Sequence, residues 1–183
     1  MIWWVLLTIL IIIFIFISIF WINQIRYGLS SDRIVFMPTI SKKVLTELTK
    51  ILDIENTENQ YFVEFGAGLA NIAGWISKNY CFRDIIAVEI DGQTIIMAKF
   101  WNFIKNQKLN FVQKNIFDYD LPKNSIVYIF LGKQVLTNLY LQKKLDGNLI
   151  ISLTFNIKNL EPTKTINIGK PYNNLYIYDF RKN

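Results

Sequence analysis

The sequence predicts an α/β fold: a doubly wound, mostly parallel sheet that ends in an antiparallel hairpin and is preceded by one transmembrane helix. Three observations carry that expectation. Short β-rich runs alternate with stretches of helical spacing after Pro38. A glycine pair, Gly66 and Gly68, sits where the first of these strands passes into a helix, and the next strand ends in an acid, Glu89. The first 25 residues carry no charged side chain, which suits a helix in hydrocarbon.

The N-terminal helix comes first in the chain. Residues 9–19 are Ile, Leu and Phe apart from Ser18. A helix pairs its own backbone groups, as hydrocarbon requires. Trp3 and Trp4 lie near one end of the run and Trp21 near the other. Roughly 18 residues at about 1.5 Å each separate these indoles by about 27 Å, close to the hydrocarbon thickness. No basic stretch precedes the run and no small-residue cleavage site follows it, so a removed signal peptide fits poorly. Arg26, Arg33, Lys42 and Lys43 come after it. By the positive-inside rule a single-pass membrane protein is expected, with its C-terminal domain on the cytoplasmic side. The expected division is residues 1–25 as the anchor and 34–183 as the domain.

The helix expected over Ile40–Leu52 has apolar residues at 40, 44, 45, 48, 51 and 52, with Thr39 or Ser41 as caps. Strands are expected at Tyr61–Phe65, Asp84–Glu89, Leu109–Gln113, Ser125–Leu131 and Gly147–Thr154. Helices fall between them at Leu69–Lys78, Gln93–Asn106 and Lys133–Leu145. Thr165–Gly169 and Leu175–Phe180 pair as the terminal hairpin across a turn at Pro171–Asn174. Right-handed crossovers wind such a sheet in both directions, giving a Rossmann-like layout.

Composition removes several chemistries. The 183 residues include no histidine and one cysteine, Cys81. Histidine-based triads, histidine-ligated metals, internal disulfides and Cys-x-x-Cys motifs are therefore excluded, and no metal ligand is assigned. Lys and Arg outnumber Asp and Glu by 20 to 14, a net +6. Such an excess suits an anionic membrane surface or an acidic ligand and is too small to identify nucleic acid.

The residues that carry chemistry are Glu64-Phe65-Gly66-Ala67-Gly68, at a strand-to-helix turn. In a doubly wound sheet that turn lies at the carboxyl edge, where ligands bind. The glycines, with Ala67 between them, let a nucleoside approach the backbone closely. Glu89, 23 residues beyond Gly66, is placed to accept hydrogen bonds from both ribose hydroxyls, with Ile90 beside it. A dinucleotide site prefers a third glycine, where this chain has Asn71. A carboxylate at Glu64 is poorly placed for pyrophosphate and suits a cationic amino-acid cofactor. S-adenosylmethionine, which has an ammonium, a sulfonium and no phosphate, fits best. After the third strand, Asn115 is a candidate for the adenine amino group, and Phe117 for the apolar cover of the ring. The fourth strand ends Ile129-Phe130-Leu131-Gly132 without the Asn/Asp-Pro-Pro-Tyr tetrapeptide of amino-group methyltransferases. That lowers nucleobase acceptors, and no nucleic-acid partner is expected. No general base is assigned.

Taken in order, these motifs resemble the small membrane-anchored class I protein-lysine methyltransferases. Mitochondrial members of that family modify the ATP synthase c-subunit and the adenine nucleotide translocase. Phe36-Met37-Pro38-Thr39 resembles the family's Val-Pro-Thr entry, Glu64–Gly68 its glycine loop, and Val88-Glu89-Ile90-Asp91 its Tyr-Glu-Leu-Asn. Asn115-Ile116-Phe117 sits where the family has Asp-Leu-Trp, and Leu141–Leu145 and Leu175–Asp179 match its later motifs. Leu69, Ala70 and Asn71 stand in place of the family's Asp-Gly-Arg. The resemblance adds Pro38 and Thr39 to the cofactor-binding set. It implies transfer of a methyl group to a lysine of a membrane-associated protein, with the bilayer as a second partner through the N-terminal helix. A lipid or small-molecule acceptor, or a binding module without catalysis, stays open beside it.

Overall fold

The computed structural model describes residues 2–29 and 41–181, with side chains for all of these except residues 2, 20, 21 and 23–29. The chain divides into two compact units, Met1–Met37 and Pro38–Asn183.

The described part of the first unit is one helix, α1 (Ile2–Leu29). Its side chains from residue 3 to 17 and at 19 are exposed, and they are overwhelmingly apolar. Among the described residues no helix is long and apolar enough to cross a membrane. The helix expected from the sequence is present; its expected role as a span is not established by it.

The second unit is a seven-stranded sheet with helices on both faces. Its elements are α2 (Lys42–Leu52), β1 (Tyr61–Phe65), α3 (Asn71–Asn79), β2 (Asp84–Glu89), α4 (Gly92–Ile104), β3 (Asn110–Gln113), β4 (Ser125–Ile129), α5 (Lys133–Leu141), β5 (Leu149–Leu153), β6 (Lys164–Gly169) and β7 (Asn173–Asp179). The strand order is β3-β2-β1-β4-β5-β7-β6. Strands β1 to β5 run parallel, and β7 pairs antiparallel with both β5 and β6. The order reverses at β1, so the carboxyl ends of β1 and β4 open a crevice of the kind that binds ligands in such sheets.

Strand periodicity sorts the core. On one face Phe62, Ile85, Ile126, Tyr128 and Ile151 pack with Val44 and Leu48 of α2 and Ile72 and Ile76 of α3. On the other, Val63, Phe65, Val88, Val127 and Ile150 pack with Leu136 and Leu139 of α5. The same alternation puts Glu64 on the face of Phe62, toward α3.

The expected helices at 93–106 and 133–145 both run past the real ends. Asn106 (φ 50°) and Lys143 (φ 54°) take the left-handed conformation. Gln107 N–H then donates to Asn102 O and Lys144 N–H to Leu139 O, at 2.9 and 3.0 Å. These are Schellman closures made without glycine.

The chain's last described turn is tied down by charge. Arg181 donates to Glu55 at 2.6 Å and to Asp179 at 2.8 Å, and all three side chains are mostly shielded. The two carboxylates hold the guanidinium pKa above its usual value. Removing the cation leaves two poorly solvated carboxylates facing each other. Arg181→Ala is therefore expected to cost about 2 kcal/mol and lower the melting temperature by roughly 4–8 °C. A thermal unfolding scan at neutral pH checks this.

Candidate functional site

The site is built on the turn from β1 to α3. Gly66 (φ 65°) and Gly68 (φ 54°) are left-handed, and Ala70 (φ 54°) adopts the same region with a Cβ. For Ala70 that conformation costs roughly 1–2 kcal/mol, which the surrounding turn must overcome. At Gly66 a Cβ would meet Leu131 Cδ2 at 2.6 Å. The leucine tip could swing aside, so the positive φ rather than the contact is what demands glycine. Ala67 N–H donates to Val88 O at 3.1 Å, and Ala70 N–H to Ala67 O at 2.7 Å, which locks the turn against β2.

An alanine at the N-cap offers α3 no side-chain acceptor. Glu64 supplies one from the neighbouring strand. Its Oε2 accepts from Ala73 N–H at 2.8 Å, and the side chain is buried. Burial pushes the Glu64 carboxyl up to about 8; the amides of Ala73 and Ile72 pull it down, and the charge of Glu89 adds to the rise. Burial wins because two amides replace only part of the water a carboxylate loses.

Glu89 lies across the mouth of the same turn. Its Oε2 accepts from Gly68 N–H at 2.9 Å. Its Oε1 accepts from Ile90 N–H at 2.8 Å and Asp91 N–H at 3.1 Å. Asp91 in turn caps α4 by accepting from Thr94 N–H at 2.7 Å. One carboxylate thus joins the glycine turn, the end of β2 and the start of α4. Ile90 is exposed beside it.

The next strand brings Asn115 and Phe117 to the same edge. Lys114 N–H donates to Glu89 O at 3.0 Å. Asn115 Oδ1 accepts from Phe117 N–H at 3.1 Å, an Asx turn that fixes the loop. Asn115 is exposed, while Phe117 packs partly against the core that holds Phe65 and Val88. Glu64, Gly66, Ala67, Gly68, Glu89, Ile90, Asn115 and Phe117 therefore line the carboxyl ends of three adjacent strands. Pro38 and Thr39 lie outside the described residues.

Two neighbours were not expected. Leu131, just beyond β4, packs on Gly66. Asn102 of α4, buried, donates to Ala98 O at 2.7 Å and to Leu69 O at 3.4 Å. Its Oδ1 has no partner among the described residues. Ile95, Ala98 and Asn102 share the buried stripe of α4, so helical spacing was the available signal for this residue. No local signal marks the contact of Leu131, which depends on strand order.

No family model matches the sequence, and no curated protein matches it. Solved structures match the fold. An RNA methyltransferase from Salinibacter ruber, solved with S-adenosyl-L-homocysteine, is 16% identical with a TM-score of 0.63, over 80% of this chain and 95% of that one. An rRNA methylase from Streptococcus thermophilus is 10% identical with a TM-score of 0.54, over 76% and 96%. A ribosomal protein L11 methylase from Lactobacillus delbrueckii subsp. bulgaricus is 13% identical with a TM-score of 0.54, over 79% and 88%. The chain has the Rossmann-like fold of class I methyltransferases. These likenesses correct one expectation. Two of these three structures are RNA-modifying enzymes, so the absence of a nucleic-acid partner, argued above from modest net charge and a missing tetrapeptide, does not stand. Neither feature excludes RNA in this fold. Nor does any of the three single out the lysine-modifying group that the motifs resemble.

Proposed function

We propose that this chain is an S-adenosylmethionine-dependent methyltransferase whose acceptor is a lysine amine of a protein. The observation that carries the cofactor is the carboxylate of Glu89 held over a left-handed glycine turn at the carboxyl edge of β1 and β2. The residues present fit the cofactor. Glu89 is an acceptor of the right charge for a ribose diol, Gly66 and Gly68 leave room at the backbone, and Ile90 and Phe117 offer apolar surface for a purine. Glu64, buried behind the turn, is a carboxyl that a cationic amino-acid moiety bound in front of it would draw into its charged form. No phosphate-binding lysine or third glycine stands in the loop.

Bound there, the cofactor supplies a methyl group already activated by its sulfonium. The protein's part is to hold the acceptor in line and exclude water. A lysine amine must be neutral to attack; with no histidine in the chain and no general base assigned, its proton is taken to leave to water.

For the acceptor, the support is the ordered resemblance from Phe36 to Phe180 to lysine-modifying enzymes. A second reading, an RNA acceptor, is favoured by the two RNA-modifying fold neighbours. We also read residues 1–25 as a lipid anchor and 34–183 as the catalytic domain, with the positive charges after residue 25 keeping that domain on the cytoplasmic side. The helix α1, without a charged side chain before Arg26, supports this. Incubating the full chain with methyl-labelled cofactor and a cell extract tests the acceptor. Label in protein, recovered as methyl-lysine after hydrolysis, is expected. Label in RNA alone selects the second reading, and label in lipid alone overturns both.

A further inference from the structure

Helix α4 turns its largest apolar side chains outward. The buried stripe is Ile95, Ala98 and Asn102, small for a helix that covers a sheet. On the opposite side Ile96, Phe100, Phe103 and Ile104 follow one another at helical spacing and are 65%, 61%, 84% and 57% exposed. Trp101 borders the stripe at 45% exposure and stands edge-on to Phe100. Taking roughly 200 Å² per aromatic residue, Phe100, Trp101 and Phe103 alone expose about 400 Å². With the two isoleucines added, the patch exceeds what monomers usually leave open.

Along this stretch of the chain the charge has one sign. Lys99, Lys105, Lys108 and Lys114 lie on α4 and in the segment that follows, and no acidic residue occurs between Asp91 and Asp118. Aromatic and aliphatic side chains on one helical face, edged by lysines, match the chemistry of a helix lying in a lipid headgroup layer. We propose that the outward face of α4 is a docking surface for an anionic bilayer. A second copy is the poorer occupant, because a two-fold contact would set the same lysines against each other. RNA is also poorer, because Ile96 and Ile104, which form the two ends of the stripe and are more than half exposed, give bases nothing to stack on. The inference stands apart from the methyl-transfer reading.

The test uses the full chain with Cys81→Ser and a single new cysteine carrying an environment-sensitive dye, at Ile96→Cys or, as a control, at Glu161→Cys. Glu161 is exposed and precedes β6, at the sheet edge opposite β3. Attachment to vesicles is not the readout, since α1 is itself apolar. In vesicles with about 30% anionic lipid, the dye at 96 is expected to shift to the blue and be quenched by spin-labelled lipid, while the dye at 161 stays in water. Phe100→Ser with Phe103→Ser, or about 0.5 M salt, should weaken that signal roughly tenfold. A cooperative melt of the double variant confirms that it folds. Three results overturn the proposal: a dye at 96 that stays in water on vesicle-bound protein, a shift that grows with protein concentration without vesicles, or a shift produced by RNA and not by vesicles.

Discussion

Replacing Glu89 with alanine is expected to weaken S-adenosylmethionine binding about a hundredfold. The carboxylate accepts from three backbone amides at the mouth of the turn. In the reading proposed above, its place at the end of β2 makes it the acceptor for a ribose diol. Hydrogen bonds to a charged group contribute roughly 1.5–3 kcal/mol each, and about 2.7 kcal/mol is already a factor of one hundred. Alanine also frees Gly68 N–H, so the turn loses an anchor as the ligand loses a partner. Glu89→Gln keeps an acceptor oxygen without the charge, and a loss nearer tenfold is expected. Calorimetric titration of the three proteins, with circular dichroism to show that each is folded, measures both. Equal affinities across the series would remove Glu89 from the site.

The second large effect concerns Glu64. Its carboxyl sits at about 8 in the folded chain, against 4.5 for an ordinary glutamate, because burial disfavours the ion. The folded state therefore holds a proton that the unfolded state has given up. That contribution to stability is complete below about pH 4.5, declines as pH rises, and is gone above about 8. The loss amounts to several kcal/mol at about 1.4 kcal/mol per pH unit. Glu64→Gln keeps a hydrogen-bond acceptor for Ala73 N–H and cannot ionise. The wild-type melting temperature is expected to fall between pH 5 and 8.5, with the variant nearly level over that range.

The same proton reports on the ligand. A cation bound above the turn draws the Glu64 pKa down, so binding at pH 7 releases part of a proton. Titrations in buffers of different ionisation enthalpy should show that release in the wild type and not in Glu64→Gln. A wild-type melting temperature that does not fall across this range would mean that Glu64 is ionised throughout.

Much of this was legible in the sequence, for a physical reason. The strand Tyr61–Phe65, the glycine turn and the acid at Glu89 are each local, and the parallel register that sets β1 beside β2 follows from the right-handed crossover through α3. What was not legible depends on distant or unusual backbone. The hairpin does not simply extend the sheet; β7 inserts between β5 and β6, and no residue within it announces its neighbour. Helices α4 and α5 stop at Asn106 and Lys143, left-handed residues that lack the usual glycine signal. Periodicity marked residues 93–106 as a helix and did not say which of its stripes meets the sheet. The sheet receives Ile95, Ala98 and Asn102, and the bulky residues face out. Glu64 was read as facing a ligand; its described partners are the amides of α3, and its influence on a bound cation runs through charge.

The most direct measurement is calorimetric titration of the full-length chain with S-adenosylmethionine, repeated with S-adenosylhomocysteine as competitor. One saturable site per chain, displaced by the competitor, is the expected result. A chain that melts cooperatively yet takes up neither compound would contradict the account at its root, because the turn and its two carboxylates would then be scaffolding alone.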